Sequence, residues 1–375
     1  MPLGKKLLFA FLASLAPLLL AEGALRLVGY DPRSAALDGK GRVLRTSDDP
    51  ELRYALTPGA TGEGWGTTVA INAHGFRDDE LDPLTPGRRR IAVLGDSITF
   101  GNHLARAEVY PEVLERRLAE EGLDFDVLNL GVGGYDPVQE VRLFETVGLE
   151  FRPELVVVGF CVNDLGVVSV TMEHSWQEDE RDDPLYASRL AQWFHEIAGE
   201  RARRAASGRA NRDDVYAATF ADQIDEVTDP ELLAAMERLG AELARRNQAA
   251  PDPGAVNARR IPPRWFADPN RVGRAQYAFG KLARLSEEHG FDVAVLLIPY
   301  LEETDWEPAY DVLRRLVALH GFELLEVGDA FAAEGLTGLR IDARDTVHPN
   351  ATGHALMAGR LLEHVLAREA GRPQD

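Results

Sequence analysis

Lysine is almost missing from this chain. Beyond Lys5 and Lys6 only Lys40 and Lys281 occur, which leaves little material for Schiff-base chemistry. Cysteine is reduced to Cys161, so an intrachain disulfide is excluded and cysteine usage is silent on compartment. No Gly-Lys-Ser or Gly-Lys-Thr occurs, which excludes a P-loop, and there is neither an internal repeat nor a low-complexity tract. Basic side chains are also in deficit: 41 Lys and Arg stand against 61 Asp and Glu, for a net charge of −20. A surface this acidic repels phosphate backbones, so nucleic acid is not an expected partner.

Long apolar runs are confined to the N-terminus. Residues 7–21 carry no charge and follow Lys5 and Lys6; Glu22 and Arg26 then interrupt an apolar stretch that continues to Val28. The two charges are spaced i,i+4 and can pair. With that pair at the interface, 7–28 is long enough to span a bilayer, and the flanking lysines orient the rest of the chain outward. Residues 1–30 are therefore expected to form a membrane anchor or signal segment, with the remainder periplasmic or at the cell surface. The alternatives are a signal cleaved near Ala21-Glu22-Gly23 and a buried soluble helix.

The 375 residues are 45% hydrophobic, enough for one large α/β domain with insertions or two modest domains. Residues 31–90, rich in Gly, Pro, Asp and Thr, read as an irregular extension with short strands at about 51–55 and 67–71. From Ile91 onward the pattern alternates. Apolar strands are expected over 91–94, 125–130, 155–160, 291–298 and 323–327. Helices are expected over 110–121, 137–147, 272–289, 307–319 and 351–368. Continuous apolar strands alternating with helices predict a parallel sheet covered on both faces. Between the third and fourth strands lies an insertion at about 165–270. Asp183-Pro184 and Asp229-Pro230 start helices there, the first carrying Tyr186, Leu190, Trp193, Phe194 and Ile197, the second Leu232, Met236, Leu239 and Leu243. The proline-rich stretch 247–270 is expected to be loop.

Open parallel sheets bind ligands beyond the carboxyl ends of their strands. In this chain those positions carry Gly95-Asp96-Ser97, then Asn129-Leu130-Gly131-Val132-Gly133-Gly134, then Asn163-Asp164, and finally Asp345-Thr346-Val347-His348. Each alone is ordinary: Gly-Asp-Ser is usually a turn, and Asn-Asp after a strand is usually a capped loop. Together they supply a hydroxyl, glycine amides, a side-chain amide and an Asp/His pair to one rim, the inventory of a serine acyl-transfer site. A serine opening a helix lies near unpaired N–H groups. The three-residue separation lets one local turn set the Asp345 carboxylate against one imidazole nitrogen of His348, leaving the other for Ser97.

The conjunction resembles the SGNH (GDSL-like) hydrolases, in particular the membrane-anchored bacterial type. The resemblance covers about Ile91 to the C-terminus without the insertion. It implies a flavodoxin-like, doubly wound, five-stranded parallel sheet in a domain over 91–375 and cofactor-free ester hydrolysis. It also implies a triad of Ser97, Asp345 and His348 and an oxyanion hole of Ser97, Gly134 and Asn163. One position departs from the pattern: Cys161 stands where the third block carries glycine, and this bears on the aim of the Asn163 amide. The thiol itself reads as inert and buried. The segment Asn72-Ala-His-Gly-Phe-Arg77 also looks like one in anchored members, with Arg77 expected to form a structural ion pair or, as the alternative, to brace the site or a substrate carboxylate. A metal cluster of Asp345, His348 and His354 lacks a standard zinc spacing, so no metal is expected.

The expected activity is an extracytoplasmic esterase acting on O-acetyl or short acyl groups, with an acylated small molecule or a carbohydrate or envelope glycan as substrate. An O-acyltransferase using the same residues and a catalytically inactive glycan-binding module are the alternatives. The insertion aromatics Trp176, Trp193, Trp265 and Phe266 are candidates to shape the acyl or sugar pocket, or else to pack the inserted helices.

Overall fold

In the computed structural model, residues 2–27, 43–81, 85, 87–165, 221–249, 266–302, 306–343 and 345–372 are described. The chain opens with a helix, Leu3–Leu27 (α1), in which the Arg26 guanidinium donates to the Glu22 carboxylate at 2.7 Å, the pairing the spacing predicts. Among the described residues no helix is long and apolar enough to cross a membrane. The membrane span expected over 7–28 is not supported by this helix.

Four short strands follow: Leu44–Thr46 (β1), Tyr54–Leu56 (β2), Thr61–Gly64 (β3) and Thr67–Ala70 (β4). They pair antiparallel, β1 with β2 and β3 with β4. Sequence patterning anticipates parts of β2 and β4 and misses β1 and β3, which have few apolar residues and no clean alternation. The described part of this extension is no appendage. Val43, Leu44, Tyr54, Trp65, Val69 and Phe76 are buried in the same core as the residues that follow.

The central sheet then builds by alternation: Arg89–Gly95 (β5), Ser97–Phe100 (α2), Tyr110–Glu120 (α3), Phe125–Asn129 (β6), Pro137–Thr146 (α4) and Leu155–Cys161 (β7). Beyond the insertion come Pro230–Ala249 (α5), Pro269–His289 (α6), Asp292–Ile298 (β8), Glu307–Leu319 (α7), Glu323–Glu326 (β9), Gly328–Glu334 (α8) and Ala351–Ala370 (α9). The five strands order β6-β5-β7-β8-β9 and every neighbouring pair is parallel. This is the doubly wound arrangement the sequence predicts, with its switch point beside β5. Every residue of β7 is buried, because helices cover both faces; α9 packs on α3, and α6 packs on α4.

Helix ends obey local chemistry. Asp136 caps α4 through its side chain, Asn350 caps α9, and α6 stops at Gly290, whose φ of 76° suits a left-handed cap. The expected loop over 247–270 is partly helix: α5 extends to Ala249 and α6 begins at Pro269, capped by Asp268. Asp-Pro was the start signal here as at Asp229-Pro230. Leu232, Met236 and Leu239 are buried as their spacing predicts, on a helix that packs against α7. Phe266 is buried in the core. The helix expected after Pro184, with Trp176, Trp193 and Trp265, lies outside the described residues.

Candidate active site

All four predicted segments arrive at the carboxyl rim of the sheet. Ser97 opens α2 directly after β5, in a turn fixed by Asp96, whose Oδ1 accepts from the Ile98 N–H at 2.8 Å. The loop after β6 must pass close to this helix, and Gly131 makes that possible: a Cβ there would sit on the backbone nitrogen of Phe100. Gly134, in the same loop, has φ of 83°, open to glycine with little strain. A Cβ on its neighbour Gly133 would stand 3.8 Å from the Ser97 Cβ, so this glycine loop faces the serine. Cys161 ends β7 and is fully buried. Its N–H donates at 2.7 Å to Asp164, which holds the turn Val162–Leu165 and so presents Asn163.

The polar groups form one hydrogen-bonded chain. Ser97 Oγ lies 2.8 Å from His348 Nε2, and His348 Nδ1 lies 2.7 Å from Asp345 Oδ2. A carboxylate only accepts, so Nδ1 carries the proton and Nε2 is left to accept from the serine. The other Asp345 oxygen accepts from the Val347 and His348 N–H groups at 2.9 and 3.0 Å. Burial works to raise the Asp345 carboxyl. The hydrogen bond and charge of His348, with the two backbone donors, outweigh it and hold Asp345 well below the usual carboxylate range. This carboxylate is ionised throughout the neutral range.

Asp96 is the group that sequence reasoning left unassigned. Its Oδ2 accepts from the Asn163 amide and lies 3.2 Å from Ser97 Oγ, whose single proton points to His348. A primary amide has two N–H bonds. With one held by Asp96, the other is fixed in direction and free for a ligand, an answer to the question raised by Cys161. The signal was present in the sequence, since an Asp one residue ahead of a helix is a standard N-cap.

Arg77 departs from the ion pair expected of it and follows the alternative, bracing the helix of Ser97. It is fully buried with no carboxylate partner among the described residues. Its guanidinium instead donates to the carbonyls of Phe100, Gly101 and Leu104 at 2.9, 2.7 and 2.7 Å, gripping the end of α2. Burial, then the charge of Arg106, lowers it to about 10, so it stays protonated at neutral pH. The next residue, Asp78, accepts from the Asn129 N–H at 3.0 Å at the end of β6. The Tyr54 hydroxyl donates to the Gly133 carbonyl at 2.9 Å, and the Tyr54 backbone carbonyl accepts from the Tyr135 hydroxyl. The extension thus holds both the serine helix and the glycine loop. Composition carries no signal for this, because the acceptors are backbone carbonyls.

His354 does not converge with Asp345 and His348. Its Nδ1 accepts from the Tyr110 N–H at 3.1 Å, and burial, reinforced by the charges of His348 and Arg77, lowers it to about 3. It is a neutral structural acceptor. Among the described residues, no group of His, Cys, Asp and Glu side chains comes together to hold a metal ion. His103 stands on the open side, exposed, with φ of 67° and its ring 6.0 Å from that of His348.

The profile of the GDSL-like lipase/acylhydrolase family matches residues 93–356. The chain belongs to this family. The GDSL-like membership makes it an ester hydrolase of the SGNH fold, with Ser97, the glycine loop, Asn163 and the Asp345/His348 pair all inside the matched region. No curated protein sequence matches it. Similar solved structures include the acetyl xylan esterase AlAXEase, with a TM-score of 0.40 and 14% identity over 74% of this chain and 99% of that one. The psychrotrophic esterase EstA from Pseudoalteromonas sp. aligns with a TM-score of 0.40 and 11% identity over 76% of this chain and 100% of its own. An acetyl-xylooligosaccharide esterase mutant from Geobacillus aligns with a TM-score of 0.39 and 13% identity over 78% of this chain and 98% of its own.

Proposed function

We propose that this GDSL-like hydrolase is a serine esterase removing O-acetyl or short acyl groups from a carbohydrate or envelope glycan, with Ser97, His348 and Asp345 as its triad. The observation that carries the reading is the unbroken chain from Ser97 Oγ through both imidazole nitrogens to Asp345, at 2.8 and 2.7 Å. In this reading Ser97 Oγ attacks the ester carbonyl and its proton passes to His348 Nε2. Asp345 holds the tautomer and stabilises the imidazolium. The oxyanion meets the Ser97 and Gly134 N–H groups and the second amide N–H of Asn163, donors already oriented before substrate arrives. Collapse expels the alcohol, protonated by His348, and leaves an acyl-enzyme. Water, activated by the same imidazole, then attacks it and releases the acid.

We further propose that the catalytic region works outside the cytoplasm, exported by its N-terminal segment. Support comes from Lys5 and Lys6 ahead of a fifteen-residue uncharged run over 7–21, the layout of an export signal. Membrane fractionation with N-terminal sequencing checks this; a full-length chain in the cytosol contradicts it.

The activity is tested with the full chain on 4-nitrophenyl esters of increasing acyl length and on O-acetylated oligosaccharides. The reading expects turnover highest for acetyl and short acyl groups, with release of free acid. Acyl transfer to an added sugar in excess of hydrolysis would replace the esterase with a transferase. Absence of any turnover would leave a binding module.

A further inference from the structure

At the same rim, where β8 and β9 end, the chain forms a partly open cavity of about 530 Å³. Its size lies within the range of small-ligand sites, about 300–1,000 Å³. Its lining is a particular mixture. Tyr300, Trp306 and Tyr310 give it aromatic walls, and Arg314, Glu326 and Asp329 give it charged ones. The rings of Tyr300 and Trp306 are tilted at 42° with centroids 5.0 Å apart. Trp306 is only 5% exposed, and its indole Nε1 has no hydrogen-bond partner among the described residues. A buried donor left unpaired costs about 1–3 kcal/mol, so an acceptor that reached it would be favoured.

The charges narrow the class of ligand. Arg314 is already paired with Glu307 at 2.6 Å and Glu326 at 2.7 Å, so it is not offered to an anion. The remaining lining charge is negative, which disfavours phosphates, uronates and other acids. Carboxylates that accept, an indole that donates and flat apolar rings suit a neutral polyhydroxylated ring, whose hydroxyls pair with the rim and whose C–H face lies on an aromatic.

The cavity is tied to the proposed catalytic loop. The Leu301 N–H, next to Tyr300, donates to the Thr346 carbonyl at 2.9 Å, and Arg340 donates to the Leu301 carbonyl at 2.6 Å. Thr346 lies between Asp345 and His348. We propose that this cavity is a subsite for the sugar rings of a neutral glycan, holding the part of the substrate beyond the ester; it rests on the glycan-ester reading above.

The test is calorimetric titration of the full chain with unacylated xylotetraose, mannotetraose and chitotetraose. It is run on the wild-type chain, on Trp306→Phe, which keeps a ring and loses the N–H, and on Asp329→Ala, at an exposed position. Saturable binding of at least one tetraose, weakened about tenfold by each variant, is the expected result. No saturable binding of any of them overturns the subsite, as does binding that both variants leave unchanged. Because no ester is present, failure here is distinct from failure of the esterase reading, which is judged on 4-nitrophenyl acetate.

Discussion

Arg77 donates to the Gly101 carbonyl at 2.7 Å from beneath the helix that begins at Ser97. The same guanidinium holds the carbonyls of Phe100 and Leu104, and its carbon lies 5.1 Å from the centre of the Phe100 ring. Arg77 thus fixes the far end of the short helix that carries the proposed nucleophile.

Arg77→Lys keeps the charge but not the fork, and a single ammonium cannot serve three carbonyls from one plane. We expect kcat on 4-nitrophenyl acetate to fall roughly 10–100-fold with KM little changed, since misaiming a reacting group acts on the chemical step. Stability should fall by about 2–4 kcal/mol, because buried acceptors lose their donors. Steady-state kinetics and urea denaturation check both. Loss of stability with unchanged kcat would make Arg77 purely structural.

Asn163→Ala should lower kcat by roughly 10²–10³ with KM almost constant, because its free amide N–H acts on charge that develops only in the transition state. A change confined to KM would assign Asn163 to substrate binding instead.

His348→Ala should remove ester hydrolysis by on the order of 10³-fold or more, and Asp345→Ala should lose less, because the imidazole can still accept a proton without its carboxylate partner. Turnover of purified, folded variants measures the order. Equal or greater loss in Asp345→Ala would show that the carboxylate does more than orient the ring.

Glu140, in α4, is fully buried and neither of its carboxyl oxygens has a partner among the described residues. Burial, then the charges of Asp96 and Asp136, push its carboxyl well above the usual range. Unfolded, a glutamate ionises near pH 4.3 or so. Above that the unfolded chain binds fewer protons than the folded one. Glu140 therefore makes stability fall as pH rises from about 4 towards its folded value, and contributes no pH dependence below, where both states are protonated. Glu140→Gln should flatten this slope and stabilise the chain by roughly 1–3 kcal/mol at pH 8 relative to pH 5. Urea midpoints at the two pH values test it; an unchanged slope would contradict the burial argument.

The parts that could be read from sequence are those whose chemistry demands a residue type at a fixed place in the alternation. Ser97 after β5, Asn163 after β7 and the Asp345/His348 pair ahead of α9 could be placed because strand ends in a parallel sheet share one rim. The buried strands themselves were evident as uninterrupted apolar runs. What sequence did not show are relations between distant backbone atoms. Nothing in Tyr54 announces the Gly133 carbonyl as its acceptor, and nothing in Arg77 distinguishes an ion pair from three carbonyls. Asp96 is illegible for a different reason: its second oxygen gains a role only when the turn after β7 brings Asn163 alongside.

The central claim is that Ser97 is the acylated residue. Its most direct measurement is peptide mass mapping of the full chain after treatment with a fluorophosphonate, with esterase activity followed in parallel. The account predicts a single phosphonyl adduct on Ser97, formed in step with loss of 4-nitrophenyl acetate hydrolysis and absent from Ser97→Ala. An adduct on another residue, or hydrolysis that persists in folded Ser97→Ala, would contradict it.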